Sequence, residues 1–289
     1  MARTSILCDM PCELGEGPSF DRHANTLWWF DITGRKLFEK RMDMSAEALV
    51  HDLPVMASVI ARIDAERQLL ATETGLHVRD VATGRLTMYL PIEADNGATR
   101  SNDGRVHPCG ALWIGTMGKQ AQFGAGAIYW YRKGEVRKLY DGISIPNSIC
   151  FSPEGEVAWF TDTPTQKLMR VACDPATGLP VGEPSVFFDN QADKGFLDGS
   201  LVDAGGNVWN ARWGAGSLDC YSPAGKRTAS LALPATQTSC PAFIPGGFAV
   251  TSAFQGMGPE KRKADPKAGL TFKVEVNVRP CWEPDVHIG

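Results

Sequence analysis

The segment NSICFSPEGEVAWFTD, residues 147–162, gives the clearest indication of the fold of this chain. It begins with an apolar run, turns at Ser-Pro-Glu-Gly, and continues with a second run that contains two aromatic residues. Short β-prone runs separated by Pro and Gly are typical of two strands joined by a tight turn. The segment therefore predicts a β-hairpin.

The hairpin pattern recurs along the whole chain. The other copies are EGPSFDRHANTLWWFD from residue 16, VIARIDAER from 59, NDGRVHPCGALW from 102, DGSLVDAGGNVW from 198 and SCPAFIPGG from 239. Their starts lie 41 to 51 residues apart, which is close to the length of a four-stranded propeller blade.

Six such repeats predict an all-β chain that forms a six-bladed β-propeller, with residues 1–289 as a single domain. No long amphipathic helix pattern competes with the strands, and the terminal capping repeats that a solenoid needs are not evident. We expect an N-terminal strand at about residues 5–10 to pair with residues 270–278 and close the ring, because closure removes exposed sheet edges.

The composition of the chain argues against nucleic acid and membranes as binding partners. A net charge of −4 over 289 residues argues against nucleic acid, whose binding proteins usually carry a basic surface. No stretch approaches the roughly 20 apolar residues that span a bilayer, and the N-terminal apolar run is too short for a signal peptide. We therefore expect a cytoplasmic protein, a monomer or small homo-oligomer, with a small molecule as partner and no membrane partner.

The cysteines and histidines do not predict a nitrogen- or sulfur-ligated metal site. The eight cysteines are scattered without a Cys-x-x-Cys pair, so we expect reduced thiols buried as small apolar groups. The five histidines lie far apart and lack the spacing of zinc proteases. Any metal is therefore expected among oxygen ligands.

The first position of each repeat is the candidate functional position. In a propeller the first strands of the blades line the central channel, so equivalent residues at their starts form a ring. That ring consists of Glu16, Val59, Asn102, Asn147, Asp198 and Ser239. Turns favour Asn and Asp, but turn formation alone explains poorly why two carboxylates and two amides recur at one position of the repeat.

Converging carboxylates repel one another unless a cation lies between them. Two carboxylates and an amide oxygen suit a hard divalent ion, and three protein ligands leave positions for water and substrate. The pattern thus predicts one divalent metal ion at the mouth of the channel, with calcium or zinc favoured and magnesium, manganese or iron(II) as alternatives.

Five motifs resemble the regucalcin, gluconolactonase and senescence-marker-protein family of six-bladed propellers. They are ELGEGP from residue 13, RSNDG from 100, WIGTM from 113, IPNS from 145 and LDGS from 197. The resemblance implies that Glu16, Asn147 and Asp198 are metal ligands, that Arg100 and Asn102 contact the substrate, and that the activity is hydrolysis of aldonolactones such as gluconolactone.

Two departures from the family pattern bear on the substrate. An acidic residue that follows Gly-Thr-Met in regucalcin is absent here, where the chain reads GKQA from residue 118, and Lys119 or Gln120 is a candidate replacement. In addition, the chain has Pro146-Asn147-Ser148 where the family has Ser-Asn-Gly. This change keeps the ligand residue Asn147 and alters its two neighbours.

The expected mechanism is attack of water on the lactone carbonyl. Asp198 is the candidate base that deprotonates the water and Glu16 is the alternative, because the titrations of two carboxylates on one ion are coupled. Arg100 and Asn102 would hold sugar hydroxyls, and both point the same way on an extended strand. Asp103 would then face away from Asn102, and its Asp-Gly pair is typical of a bulge or turn.

Two other functions remain open from the sequence. One is a metal-dependent esterase or phosphotriesterase, as in neighbouring propeller families, which hold calcium with more Asn and Asp ligands. The other is a calcium- or sugar-binding propeller without catalytic activity. The pairing of Arg100 with Asn102 favours a polyhydroxylated substrate, and Ser200 lacks the neighbouring histidine of a serine-hydrolase triad.

Overall fold

The computed structural model describes residues 2–44 and 46–289. Its strands form six four-stranded antiparallel sheets, and nearly every strand pairs with the next one along the chain. These sheets are the blades of a six-bladed β-propeller, which confirms the fold class predicted from the repeats. The prediction of a single domain stays a prediction.

The strands are numbered β1 to β24 along the chain, and β1 is Arg3–Cys8. The first blade contains β2 to β5: Gly15–Asp21, Thr26–Asp31, Lys36–Arg41 and Leu49–Asp52. The second contains β6 to β9: Ala57–Arg62, Arg67–Thr72, Gly75–Asp80 and Leu86–Pro91. The third contains β10 to β13: Thr99–Val106, Leu112–Gly118, Gly126–Arg132 and Glu135–Ile143.

The fourth blade contains β14 to β17: Pro146–Phe151, Val157–Asp162, Lys167–Cys173 and Pro180–Asp189. The fifth contains β18 to β21: Phe196–Val202, Val208–Trp213, Ser217–Tyr221 and Arg227–Ala232. The sixth contains β22 to β24, which are Thr238–Ile244, Gly247–Ser252 and Thr271–Glu275, together with β1. A 3₁₀ turn at Thr163–Thr165 and one short helix, α1 (Pro259–Ala264), complete the regular structure of the described residues.

The sixth blade joins the two ends of the chain. Strand β1 pairs antiparallel with β24, with Arg3 opposite Glu275 and Ile6 opposite Phe272. The N-terminal strand thereby covers the outer edge of a sheet whose other three strands come from the C-terminal part of the chain. This is the pairing predicted from residues 5–10 and 270–278. An uncovered β24 would leave backbone N–H and C=O groups unpaired.

The outermost strands of the blades are less buried than the strands nearer the channel. Strands β3, β11 and β14 are buried along their whole length, whereas the outermost β5 and β9 are half-buried to exposed. A strand covered on both faces has no reason to alternate apolar and polar residues. Trp113, Trp159 and Trp209 lie in the second strands of three blades and are buried, as expected of side chains that pack within the propeller.

Contacts divide the chain into two units. The first runs from the N-terminus to Leu53 and includes Ala192–Trp282, so it holds blades one, five and six. Its core has two apolar clusters, one around Trp209 and Phe272 and another around Trp29 and Phe38. The second unit consists of Pro54–Gln191 and Glu283–Gly289 and holds blades two, three and four.

All eight cysteines are free thiols, and most are buried among apolar side chains. Burial raises the pKa of the Cys12 and Cys150 thiols, which keeps them protonated at neutral pH. Across residues 2–44 and 46–289, none of the helices has the length and apolar character needed to cross a bilayer.

Candidate active site

The predicted site residues lie at a break in strand pairing that recurs in every blade. The first strand of each blade changes register at or beside the position picked out by the repeats: between Glu16 and Ser19, Ala57 and Val59, Ser101 and Gly104, Asn147 and Cys150, Leu197 and Ser200, and Thr238 and Pro241. Such β-bulges redirect a side chain out of the regular alternation. The polar residues therefore lie where the strand is locally released from its ladder.

Within the second unit the structure brings Arg100, Asn102 and Asn147 together. The Arg100 Nη1 donates to Asn102 Oδ1 at 2.8 Å and to the Ser101 carbonyl at 2.9 Å. The Asn102 Nδ2 donates to Asn147 Oδ1 at 2.9 Å. The predicted substrate pair thus forms a continuous hydrogen-bonded chain that ends at a predicted metal ligand.

The amide orientations in this chain follow from its fixed partners. Asn102 Nδ2 lies 2.9 Å from the Pro146 carbonyl, which only accepts, so that atom must be the nitrogen. Asn147 therefore presents its oxygen to Asn102, and its nitrogen donates to Thr163 Oγ1 at 3.0 Å. An amide oxygen has two lone pairs, and one hydrogen bond leaves capacity for a cation. Sequence reasoning did not identify Thr163.

Asn147 is also held by unusual backbone geometry. Ser148, the residue after it, has φ +59° and is fully buried, and Gly17, the residue after Glu16, has φ +54°. Left-handed backbone at a non-glycine residue is uncommon and persists where the surrounding structure imposes it. Ser148 therefore adopts a conformation that glycine would adopt more readily.

Glu16 and Asp198 belong to the first unit. Glu16 is half-buried, and its Oε2 accepts from the Gly17 N–H at 3.0 Å. Asp198 is only 5 % exposed, and its backbone carbonyl accepts from Asn210 Nδ2 at 2.9 Å. Both occupy, in their own blades, the position that Asn147 occupies in the fourth.

The donor types fit a hard divalent ion. The predicted set supplies two carboxylates and one amide oxygen, and calcium and magnesium take such oxygen ligands. The described residues contain no group of three or more His, Cys, Asp or Glu side chains suited to a metal. The predicted set therefore includes an amide oxygen, that of Asn147, beside its two carboxylates.

Asp103 lies within the same bulge as Asn102 and links the third and fourth blades. Its Oδ1 accepts from the Gly104 N–H at 2.8 Å, and its Oδ2 accepts from the Ile149 N–H of the fourth blade at 2.8 Å. Burial raises the pKa of this carboxyl to about 6, while the nearby Arg105 opposes the shift. Asp103 thus holds together the strands that carry Asn102 and Asn147, a structural role that the sequence did not reveal.

We expect Asp103→Asn to lower the free energy of unfolding by about 1–3 kcal/mol, because one backbone N–H would then face an amide NH₂ instead of an acceptor. The native state binds the Asp103 proton more tightly than the unfolded chain, so the contribution of this group to stability falls as pH rises from about 4 to about 6. The advantage of the unaltered chain over the variant should therefore be larger near pH 4.5 than near pH 7.

Urea unfolding of both proteins at the two pH values measures this effect. Asp141→Asn, an exposed carboxyl of the third blade, is the matched control and should change stability little. An equal difference at both pH values would show that Asp103 does not titrate in this range.

The loop after Gly-Thr-Met is anchored by an ion pair. Lys119 Nζ lies 2.6 Å from Glu73 Oε2, and Glu73 Oε1 accepts from the Met56 N–H at 2.9 Å. Gln120, the other candidate replacement, is exposed. Lys119, which follows β11 of the third blade, therefore pairs with Glu73 of the second blade, and this ion pair balances its charge.

The geometry defines a β-propeller in which polar side chains project from bulges in the first strands. Residues 14–254 match the model of the SMP-30/Gluconolactonase/LRE-like region, and the chain belongs to this family.

Relatives match over nearly the full length of the chain. A protein of Rhizobium meliloti named "Putative sugar lactone lactonase" is 51 % identical over 96 % of this chain and 95 % of its own. The L-arabinolactonase of Azospirillum brasilense is 32 % identical over 93 % and 91 %. Among solved structures, the calcium-binding protein regucalcin from Agrobacterium tumefaciens has 48 % identity and a TM-score of 0.94 over 96 % of this chain and 95 % of that one.

Proposed function

We propose that this protein hydrolyses the ring ester of sugar lactones with the help of one divalent ion held by Glu16, Asn147 and Asp198. The observation that carries the proposal is the hydrogen-bonded chain from Arg100 through Asn102 to Asn147. It places a guanidinium and an amide beside a candidate metal ligand, in a protein whose relatives include an L-arabinolactonase.

Arg100 and Asn102 are suited to bind sugar hydroxyls. Arg100 is 6 % exposed, and its bond to Asn102 fixes the direction of its guanidinium. A planar guanidinium carries five N–H donors in a fixed geometry. Such preorganised donors hold a polyhydroxylated ring in one orientation, which lowers the entropic part of the barrier.

Asp198 is the proposed base. It would take a proton from the attacking water, and after the acyl–oxygen bond breaks that proton would pass to the ring oxygen, which leaves as a hydroxyl group. Asp198 is nearly buried, and a base in a place with little solvent exchanges protons with the substrate rather than with bulk water. Glu16, which is half-buried, is the alternative.

A divalent ion supplies Lewis-acid stabilisation of the negative charge that develops on the carbonyl oxygen. Calcium and zinc remain the favoured ions, with magnesium, manganese and iron(II) as alternatives. The solved relative described as a calcium-binding protein supports a divalent cation in general. A cytoplasmic location remains a prediction from the sequence.

A substrate panel tests the proposed function. We expect turnover of five- and six-membered aldonolactones, including arabinonolactone and gluconolactone, with at least about a hundredfold lower kcat/KM for an aryl acetate and a phosphotriester, since these lack hydroxyls for the polar site. Measurement with each of several divalent ions separates substrate preference from metal preference. A preference for the aryl acetate or the phosphotriester would favour the esterase alternative, and binding without turnover would favour a non-catalytic protein.

A further inference from the structure

A cavity in the second unit adjoins the Arg100 side of the site. Its wall includes Glu73, Glu93, Arg100, Ser101, Ile114 and Thr116. Arg100 thus lies against this cavity and also donates to Asn102. Its lining combines the carboxylates of Glu73 and Glu93 with apolar side chains such as Ile114.

Glu93 offers an unused acceptor in this cavity. Its Oε1 accepts from Thr116 Oγ1 at 2.9 Å and from Tyr129 Oη at 2.8 Å. Its Oε2 is buried and has no hydrogen-bond partner among the described residues. A buried carboxylate oxygen without a donor is costly, and such an atom in a native protein calls for a ligand or an ordered water.

The backbone at Glu93 is also strained. Glu93 has φ +51°, in the left-handed region that glycine and asparagine favour and glutamate seldom adopts. It lies in the connection between β9 and β10. Left-handed backbone at such a residue persists where the surrounding structure imposes it, so the carboxylate is held in one place.

The charges around the cavity favour a neutral occupant over a cation. Glu73 is paired with Lys119 at 2.6 Å, and Glu93 and Arg100 line the same cavity with opposite charges. Two carboxylates are thus matched by two cationic groups. A neutral ligand that brings hydrogen-bond donors fits this balance better than a metal ion.

We propose that Glu93 Oε2 accepts a hydrogen bond from a hydroxyl group of the substrate, and that Glu93 therefore selects lactones carrying hydroxyls on the ring face turned toward Arg100. Thr116 and Tyr129 orient the carboxylate from its other oxygen. This inference rests on the proposed lactonase function. It assigns to Glu93 the recognition of the substrate's hydroxyl groups.

The test compares Glu93→Gln with the unaltered protein on two lactones of the same ring size, gluconolactone and unsubstituted δ-valerolactone. The amide keeps an acceptor for Thr116 and Tyr129 but removes the charge-assisted hydrogen bond to the hydroxyl. We expect KM for gluconolactone to rise about tenfold with kcat within about twofold, while both constants for δ-valerolactone stay unchanged. Glu66→Gln, which removes the same charge from an exposed turn of the second blade, should alter neither.

Each result has a defined meaning. Equal loss on both lactones, or a lowered melting temperature with parallel loss, would show that Glu93 only supports the fold or an ordered water and would overturn the inference. An unchanged KM for gluconolactone would also overturn it. Absence of turnover of either lactone by the unaltered protein would instead overturn the proposed function on which the inference depends.

Discussion

Asp198→Asn should reduce kcat/KM for an aldonolactone by about a thousandfold or more, which corresponds to about 4 kcal/mol of transition-state stabilisation. The substitution removes both a proposed proton acceptor and a negatively charged metal ligand, and keeps the shape of the side chain. The backbone carbonyl of Asp198, which accepts from Asn210 at 2.9 Å, remains in place. The fold should therefore survive, with a melting temperature close to that of the unaltered protein when both are measured free of metal.

Ser200→Ala is the matched control for this variant. Ser200 is fully buried on the same strand, and its Oγ accepts from Asn210 Nδ2 at 2.9 Å. Because Asn210 also donates to the Asp198 carbonyl, the loss of one hydroxyl should reduce activity by no more than a few-fold. Steady-state kinetics and thermal unfolding of both variants provide the measurement. If Asp198→Asn kept most of its activity, the catalytic centre would lie elsewhere, and if Ser200→Ala were inactive, a serine nucleophile would have to be considered.

Removal of divalent metal should abolish lactone hydrolysis. The two carboxylates of the proposed set provide electrostatic stabilisation only through a bound cation, and without it they would repel the charge that develops on the substrate. After chelation and gel filtration we expect less than about 1 % of the original rate. Stoichiometric calcium, zinc, manganese or magnesium should restore activity to different extents, since the ions differ in preferred geometry.

Metal removal should also lower the melting temperature, because a ligand that binds only the native state stabilises it. Asn147→Ala tests the amide of the set without a change in charge. The Asn147→Ala variant should bind the added divalent ion more weakly than the unaltered protein does, so that more metal is needed for half-maximal activity. Full activity in the stripped protein would contradict a metal-dependent mechanism. An unchanged metal requirement in Asn147→Ala would remove Asn147 from the ligand set.

The repeats alone predicted much of the fold. Hairpins that start at Glu16, Asn102 and Asp198 lie at equivalent places in their blades, because the apolar runs and Pro- or Gly-containing turns of each unit encode the same local structure. The pairing of β1 with β24 followed from the need to cover a sheet edge. Arg100 and Asn102 were expected to point the same way because they lie two apart on a strand, and the structure joins them by a hydrogen bond.

Contacts between blades could not be predicted in the same way. Asp103 was expected to face away from Asn102, but its bond to the Ile149 N–H depends on a bulge and on the packing of the next blade. Glu93 lies in a connection that belongs to no repeat, and its left-handed backbone is unusual for its residue type. Neither position has a periodic pattern, so only the folded arrangement reveals them.

Anomalous diffraction from crystals grown with zinc or manganese would locate the proposed metal ion. We expect one strong peak per chain, about 2.0–2.3 Å from oxygen atoms of Glu16, Asn147 and Asp198, with the remaining positions taken by water or a bound sugar acid. A peak bound by other residues, or no peak in crystals of a protein that still hydrolyses lactones, would contradict this proposal.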